Sequence, residues 1–108
     1  MANTFTSYVA KNVGTSASTL VTVGASTQTT VIGLTVANTT ASAITCDIYF
    51  TRSAVDYYVI KGATVQPGTA FVAVGGDQKL VLTTSDALKV VTNTASSADV
   101  IASVLNIT

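Results

Sequence analysis

The sequence predicts an all-β protein: a single antiparallel β-sandwich of about eight or nine strands, Ig-like or jelly-roll-like, over residues 1–108. Three observations predict it. Thr and Val, 20 and 16 residues, make up a third of the 108, and both are β-branched, stiff at χ1 and suited to a pleated surface. No stretch carries apolar residues at i, i+3, i+4 and i+7 between helix caps. Short alternating runs are separated instead by turn residues, at intervals of about 8–12.

Residues 8–13 and 19–23 read as the first strands, split by Gly14-Thr15-Ser16 and closed by Gly24-Ala25-Ser26. Residues 29–38 alternate, with Ile32, Leu34 and Val36 inward and Gly33 and Thr35 outward. The polar turn at residues 38–42 then makes a hairpin or a sheet-to-sheet crossover into residues 43–52. That next strand is the clearest of all. Ile44, Cys46, Ile48 and Phe50 point one way, and Thr45, Asp47, Tyr49 and Thr51 the other.

A short link, Arg52-Ser53-Ala54, leads to a strand at residues 55–61 with two adjacent tyrosines, of which one should be core and the other exposed. Gln66-Pro67-Gly68 places Pro and Gly at the two central positions of a type II turn. A strand at 69–74 follows, then a turn at Gly75-Gly76-Asp77. Strands at 79–82 and 88–92 flank Thr83-Thr84-Ser85-Asp86, and 98–107 closes the chain. No linker, charge block or second domain is evident.

Only ten residues are formally charged: five Asp, four Lys and Arg52, with no Glu, His or Trp and one Cys. Without His there is no imidazole base, no zinc-type His ligand and no Ser-His or Cys-His pair. A net charge of zero with five scattered basic residues lays no track along a phosphate backbone, so nucleic acid is not an expected partner. No apolar run approaches the roughly 20 residues of a membrane helix. The N-terminus lacks a basic and an apolar signal region. The chain reads as soluble and made in the cytoplasm, with no membrane partner.

A typical solvated domain is roughly 25% charged, whereas this chain is 9% charged. A coat built from 20 Thr and 10 Ser resists association poorly, because few groups repel a neighbour. The composition therefore favours a subunit covered in an assembly over a free Thr-rich domain.

Asp47, Asp56, Asp77, Asp86 and Asp99 are the candidate acids, no two closer than nine residues. A glycosidase needs two carboxyls about 5–10 Å apart, and a calcium site needs several converging oxygens. Asp77 and Asp86 follow turn residues, where Asp caps its own backbone, and that reading is preferred to a calcium site between loops. Cys46 has no neighbouring His or Lys and reads as a small buried hydrophobe. Gly75-Gly76-Asp77-Gln78-Lys79 lacks the spacing of a phosphate loop and reads as a hairpin turn. No catalytic, cofactor-binding or metal-binding residue is assigned, and no cofactor is expected. Tyr49, Tyr57 and Tyr58, with Lys61 nearby, are candidate interface anchors or a sugar-stacking platform, weighed against tyrosines that merely cover a sheet rim.

Five segments occur in a recognisable order: Tyr57-Tyr58-Val59-Ile60-Lys61, Gln66-Pro67-Gly68, Gly75-Gly76-Asp77-Gln78-Lys79-Leu80-Val81-Leu82, Ser85-Asp86-Ala87-Leu88-Lys89-Val90, and residues 98–107. This order resembles that of small all-β virion structural proteins of tailed bacteriophages, particularly phages of marine and freshwater cyanobacteria. The resemblance covers roughly residues 29–107. The chain departs from the pattern at Leu105-Asn106-Ile107, where an acidic residue precedes the final Ile in the family.

The resemblance implies no shared active site. It implies structural duty in the virion: capsid decoration or cement, or an adaptor at the neck, tail or baseplate. The partners would be the major capsid, neck or tail proteins and further copies in a homo-oligomer. Candidate interface residues are Tyr49, Tyr57, Tyr58, Asp99 and Asn106, and the terminal segments 4–13 and 99–108 are expected to carry edge or terminal contacts. The alternative is a carbohydrate-binding module on a virion appendage, with Tyr49, Tyr57 or Tyr58 as platform. A small hydrolase is a third reading, which needs two Asp converging in a cleft.

Overall fold

A computed structural model describes residues 2–75 and 79–108. These residues form nine strands and no helix: β1 (Asn3–Val13), β2 (Ser18–Thr22), β3 (Gln28–Asn38), β4 (Ile44–Arg52), β5 (Val55–Val65), β6 (Ala70–Val74), β7 (Leu80–Leu82), β8 (Ala87–Thr92) and β9 (Ala98–Ile107). The first sheet runs β1-β9-β3-β6, with β7 also paired to β3, and the second runs β2-β8-β4-β5.

Pairing follows a simple rule. β1 pairs with β9, β2 with β8, β3 with β6 and β7, and β4 with β5, all antiparallel. The chain is thus one long hairpin with its tip at Ser53-Ala54, folded so that successive pairs alternate between sheets. The β9–β3 and β8–β4 ladders then join the pairs within each sheet. This is the jelly-roll order rather than the Ig-like one. The link from β3 to β4 is accordingly a sheet-to-sheet crossover.

The two sheets meet over an aliphatic core. Leu34, Val36, Val100 and Val104 of the first sheet and Ile44, Ile48, Leu88 and Val90 of the second are all buried. Cys46 lies among them, where burial, followed by the nearby Asp47 charge, pushes its thiol pKa up. In β3 the expected phase holds at Leu34 and Val36 and fails at Ile32. A bulge between Val31 and Gly33 turns Val31 into the core and leaves Ile32 only half-buried, because an extra residue reverses the alternation beyond it.

The expectation that one of Tyr57 and Tyr58 is core is overturned: they are 48% and 47% exposed. β5 is an edge strand and Tyr57 lies close to the hairpin tip, where its ring stacks on Phe50 at 5.4 Å. Residues 99–108 do not form an edge either. β9 lies between β1 and β3, so both of its backbone sides are hydrogen-bonded and only its outward side chains are available.

The expected turn at Gln66-Pro67-Gly68 is present. The Thr69 N–H donates to the Gln66 carbonyl at 3.2 Å, and Gly68 takes the positive φ of 71° that a type II turn requires. Gly76 and Asp77, and with them the turn expected there, lie outside the described residues.

The β4–β5 tip is a two-residue connection in which Ser53 and Ala54 both have positive φ, 53° and 64°. Such a turn favours Asn-Gly, because a Cβ is strained there. Ala54→Gly is therefore expected to raise the unfolding free energy by about 0.5–1 kcal/mol, the relieved strain exceeding the added unfolded-state entropy. A urea titration with unchanged m-value would show it.

Gly14 answers a different need. A Cβ there would lie 2.9 Å from the Ser96 amide nitrogen and 3.1 Å from the Ala95 Cα, while the Gly14 carbonyl accepts from the Thr92 N–H at 2.9 Å. Gly14→Ala should push these loops apart and lower stability by about 1–3 kcal/mol, as overpacking does. A thermal melt checks it.

Candidate interaction surface

Alternation along β1 sends Phe5, Ser7 and Val9 outward, and the strand register extends each of them into a row. Phe5 lies opposite Leu105, Ser7 opposite Ser103 and Val9 opposite Ile101. Across β3 the same rows continue to Thr30, Gly33 and Thr35, and then to Val81 on β7 and Val72 on β6. Two apolar rows, Phe5-Leu105-Thr30-Val81 and Val9-Ile101-Thr35-Val72, thus cross the first sheet. Between them runs a shallow valley of Ser7, Ser103 and Gly33.

No charged side chain interrupts either row. Phe5, Val9 and Val72 are 74%, 72% and 62% exposed. At one corner Lys11 and Asp99 pair at 3.3 Å. Exposed apolar surface of this kind marks a contact surface more often than an ordinary solvated face.

The second sheet carries two of the aromatic candidates, Tyr49 and Tyr58, on its own outer face. Tyr49 and Tyr58 are direct cross-strand partners, their ring centroids 5.0 Å apart and tilted by 38°. The Lys61 ammonium lies over the Tyr58 ring at 4.4 Å. Asp47 accepts from the Gly62 N–H at 2.7 Å, holding the β5 bulge in place, with Lys61 3.9 Å away. Partial burial raises the Tyr49 phenol pKa, and the Asp56, Tyr58 and Asp47 charges add to that. Tyr57 points to the opposite side of β5. The structure brings Tyr49 and Tyr58 together and leaves Tyr57 out of their platform.

Asp99 and Asn106 are engaged within the chain. Asp99 accepts from the Asn12 N–H at 3.1 Å and from Lys11 at 3.3 Å, which hold its pKa below the ordinary carboxylate value, the Asn12 bond first. Asn12 has a φ of 55°, so Asp99 fastens the irregular end of β1. Asn106 accepts from the Thr29 hydroxyl at 2.6 Å and donates to the Tyr8 hydroxyl at 3.3 Å. It lines a hydroxyl-rich cleft of about 330 Å³ with Thr4, Thr22, Thr27 and Thr108. The five candidates therefore occupy four separate places.

The remaining described acids also have partners. Asp56 accepts from the Thr51 hydroxyl at 2.8 Å, and Asp86 is held by Arg52 and by Thr83, whose backbone it caps as expected. Asp77 lies outside the described residues. Among the described residues, no three Cys or Asp side chains gather as a metal site, and no helix is long and apolar enough to cross a membrane.

Sequence reasoning reached Phe5, Val9 and Ile101 only as members of the terminal segments 4–13 and 99–108, without singling them out, and missed Val72. The signal was present in residues 98–107, where Val100, Ala102 and Val104 alternate with Ile101 and Leu105. A strand apolar on both faces has something to meet on each.

No family model matches the chain, and a search of curated proteins finds no match.

Proposed function

We propose that this chain is a non-enzymatic structural subunit of a tailed-phage virion, serving as capsid decoration or cement, or as a neck, tail or baseplate module. The observation that carries the reading is the outer face of the first sheet, where the rows through Phe5-Leu105 and Val9-Ile101 carry no charge and the Lys11–Asp99 pair is confined to one corner. A face four strands wide and about ten residues long covers roughly 600–700 Å² in projection. That approaches the roughly 800 Å² per partner of a standard stable interface. Jelly rolls recur in capsid and lectin domains, but a fold carries no function by itself, so the weight rests on the face and on the sparse charge. The partners are the major capsid, neck or tail proteins.

The test is immunogold labelling, with antibody to the purified protein, of particles from the phage lysate that contains the chain. Regular labelling of heads, necks or tails is the expected result. Purified particles lacking the protein would overturn the reading.

The Tyr49–Tyr58 pair favours a second reading, a carbohydrate-binding module on a virion appendage, since paired rings offer a stacking platform for a sugar face. Host surface polysaccharide should then change the tyrosine fluorescence, and Tyr58→Ala should abolish the change. A flat titration removes this reading.

A further inference from the structure

We infer that the free edge of β1 is a self-association edge, at which two copies pair antiparallel about a two-fold axis through Ser7. The inference goes beyond the virion reading and does not depend on it.

Three of the four sheet edges are protected from edge-to-edge pairing. β6 and β7, on one edge of the first sheet, are five and three residues long. β2 is five residues long and its register shifts between Thr19 and Val21. β5 is long, but two irregularities interrupt its register, Gly62 takes a φ of 73°, and Asp56 and Lys61 place charges on it. Short strands, bulges and charges are the usual means of blunting an edge.

β1 has none of these over most of its length. Its register against β9 is continuous from Asn3 to Ala10, and that run contains no Pro, Gly or charged residue. Lys11 and the irregularity before Val13 come only at its end.

The hydrogen-bond phase of this edge is fixed. Ala2 and Thr108 exchange both backbone hydrogen bonds, at 3.1 and 2.9 Å. Even-numbered residues of β1 therefore turn their N–H and C=O toward β9, and Phe5, Ser7 and Val9 turn theirs toward the open side. Two copies of such an edge can match only odd residues with odd residues.

Among those registers, the one centred on Ser7 sets Phe5 against the second copy's Val9, and Val9 against its Phe5. It forms about six backbone hydrogen bonds over residues 5–9. Registers shifted toward the C-terminus set Phe5 or Ser7 against Lys11, and the first one shifted toward the N-terminus, though its ladder is no shorter, sets Phe5 against Ser7 and Val9 against Asn3 and so loses the apolar pairs. Because Phe5 and Val9 lie on the outer face, pairing also joins the two apolar rows of one copy to those of the other across the junction. Cross-strand apolar pairs of this kind are the stabilising unit of a sheet.

Light scattering behind size exclusion, from about 1 to 100 µM, spans the range where micromolar pairing shows. The expected mass doubles from 10.9 kDa as concentration rises. Ser7→Pro removes an outward N–H and no bond to β9, so it should fold and remain at monomer mass throughout. Ser7→Lys, which sets two ammonium groups opposite each other at the axis, should do the same and decides the matter if the proline variant fails to fold. Val72→Lys, on the same face but the opposite edge, should still double in mass. A wild-type monomer at 100 µM overturns the inference. So does an oligomer that survives both Ser7 variants, or one that Val72→Lys breaks.

Discussion

Asp86→Ala is expected to lower stability by about 2–3 kcal/mol, the scale of lost hydrogen bonds to a charged group. Asp86 is 1% exposed and its carboxylate is fully used. Arg52 grips it through Nε at 2.9 and 3.1 Å and through a terminal nitrogen at 2.6 Å. The Thr83 N–H and hydroxyl donate to the same group at 2.8 and 3.3 Å. The pair ties the β7–β8 turn to the end of β4, where the Arg52 guanidinium also lies over the Phe50 ring at 5.1 Å. Arg52 is partly exposed and re-solvates when its partner goes, so the loss falls below that of stranding a buried charge. For a domain of this size the melting temperature should drop by roughly 10–15 °C.

The same pair makes a signed prediction in acid. The Arg52 hydrogen bonds, helped by Thr83 and opposed by burial, hold the Asp86 pKa below the ordinary value of 3.8. A carboxyl with a depressed folded pKa contributes fully above its unfolded pKa, and the contribution disappears as pH falls through the folded one. Wild-type stability from this pair should therefore hold from neutral pH to about 5 and decline below about 4. Arg52→Ala removes the largest cause of the depression and leaves burial, which raises a carboxyl pKa, set against the Thr83 hydrogen bonds, which lower it. Its acid loss should then be smaller than that of the wild type. Urea midpoints at pH 7, 5 and 3 distinguish the two: parallel acid losses in wild type and Arg52→Ala would refute the assignment.

Leu34→Ala should be at least as damaging, by about 3 kcal/mol within the range seen for buried leucine truncations. Leu34 is fully buried where β3 faces the second sheet. The surrounding ladders of β3 with β9 and β6 leave little freedom for the walls to collapse into the space. Phe5→Ala, by contrast, removes a larger side chain that is 74% exposed, and monomer stability should change by no more than about 0.5 kcal/mol. Denaturation at low concentration, where any pairing is absent, separates the two. A large loss for Phe5→Ala there would mean that the first sheet's outer face is not open.

The β-branched excess, the missing helix period and the turn residues at regular spacing determined by themselves that the chain is an all-β sandwich. They also placed β9 to the residue and the inward face of β4 residue by residue, because alternation in a half-buried strand has a single workable phase. The Pro67-Gly68 turn was equally legible, since its chemistry is local. What the sequence left open was anything set by a neighbour distant along the chain. Ser53-Ala54 gives no hint that it forms the tip of a chain-long hairpin. The bulge at Ile32 depends on where β9 runs, and Tyr57 is left uncovered because β5 sits at an edge. The candidate surface followed the same division: low charge led to the expectation of a covered surface, but only strand order showed which outer face gathers the exposed apolar residues. β1 was placed outermost and β9 beside it, and that adjacency brings Phe5 next to Leu105 and Val9 next to Ile101. Sheet pairing is a long-range choice made by whole ladders, and no window of residues contains it.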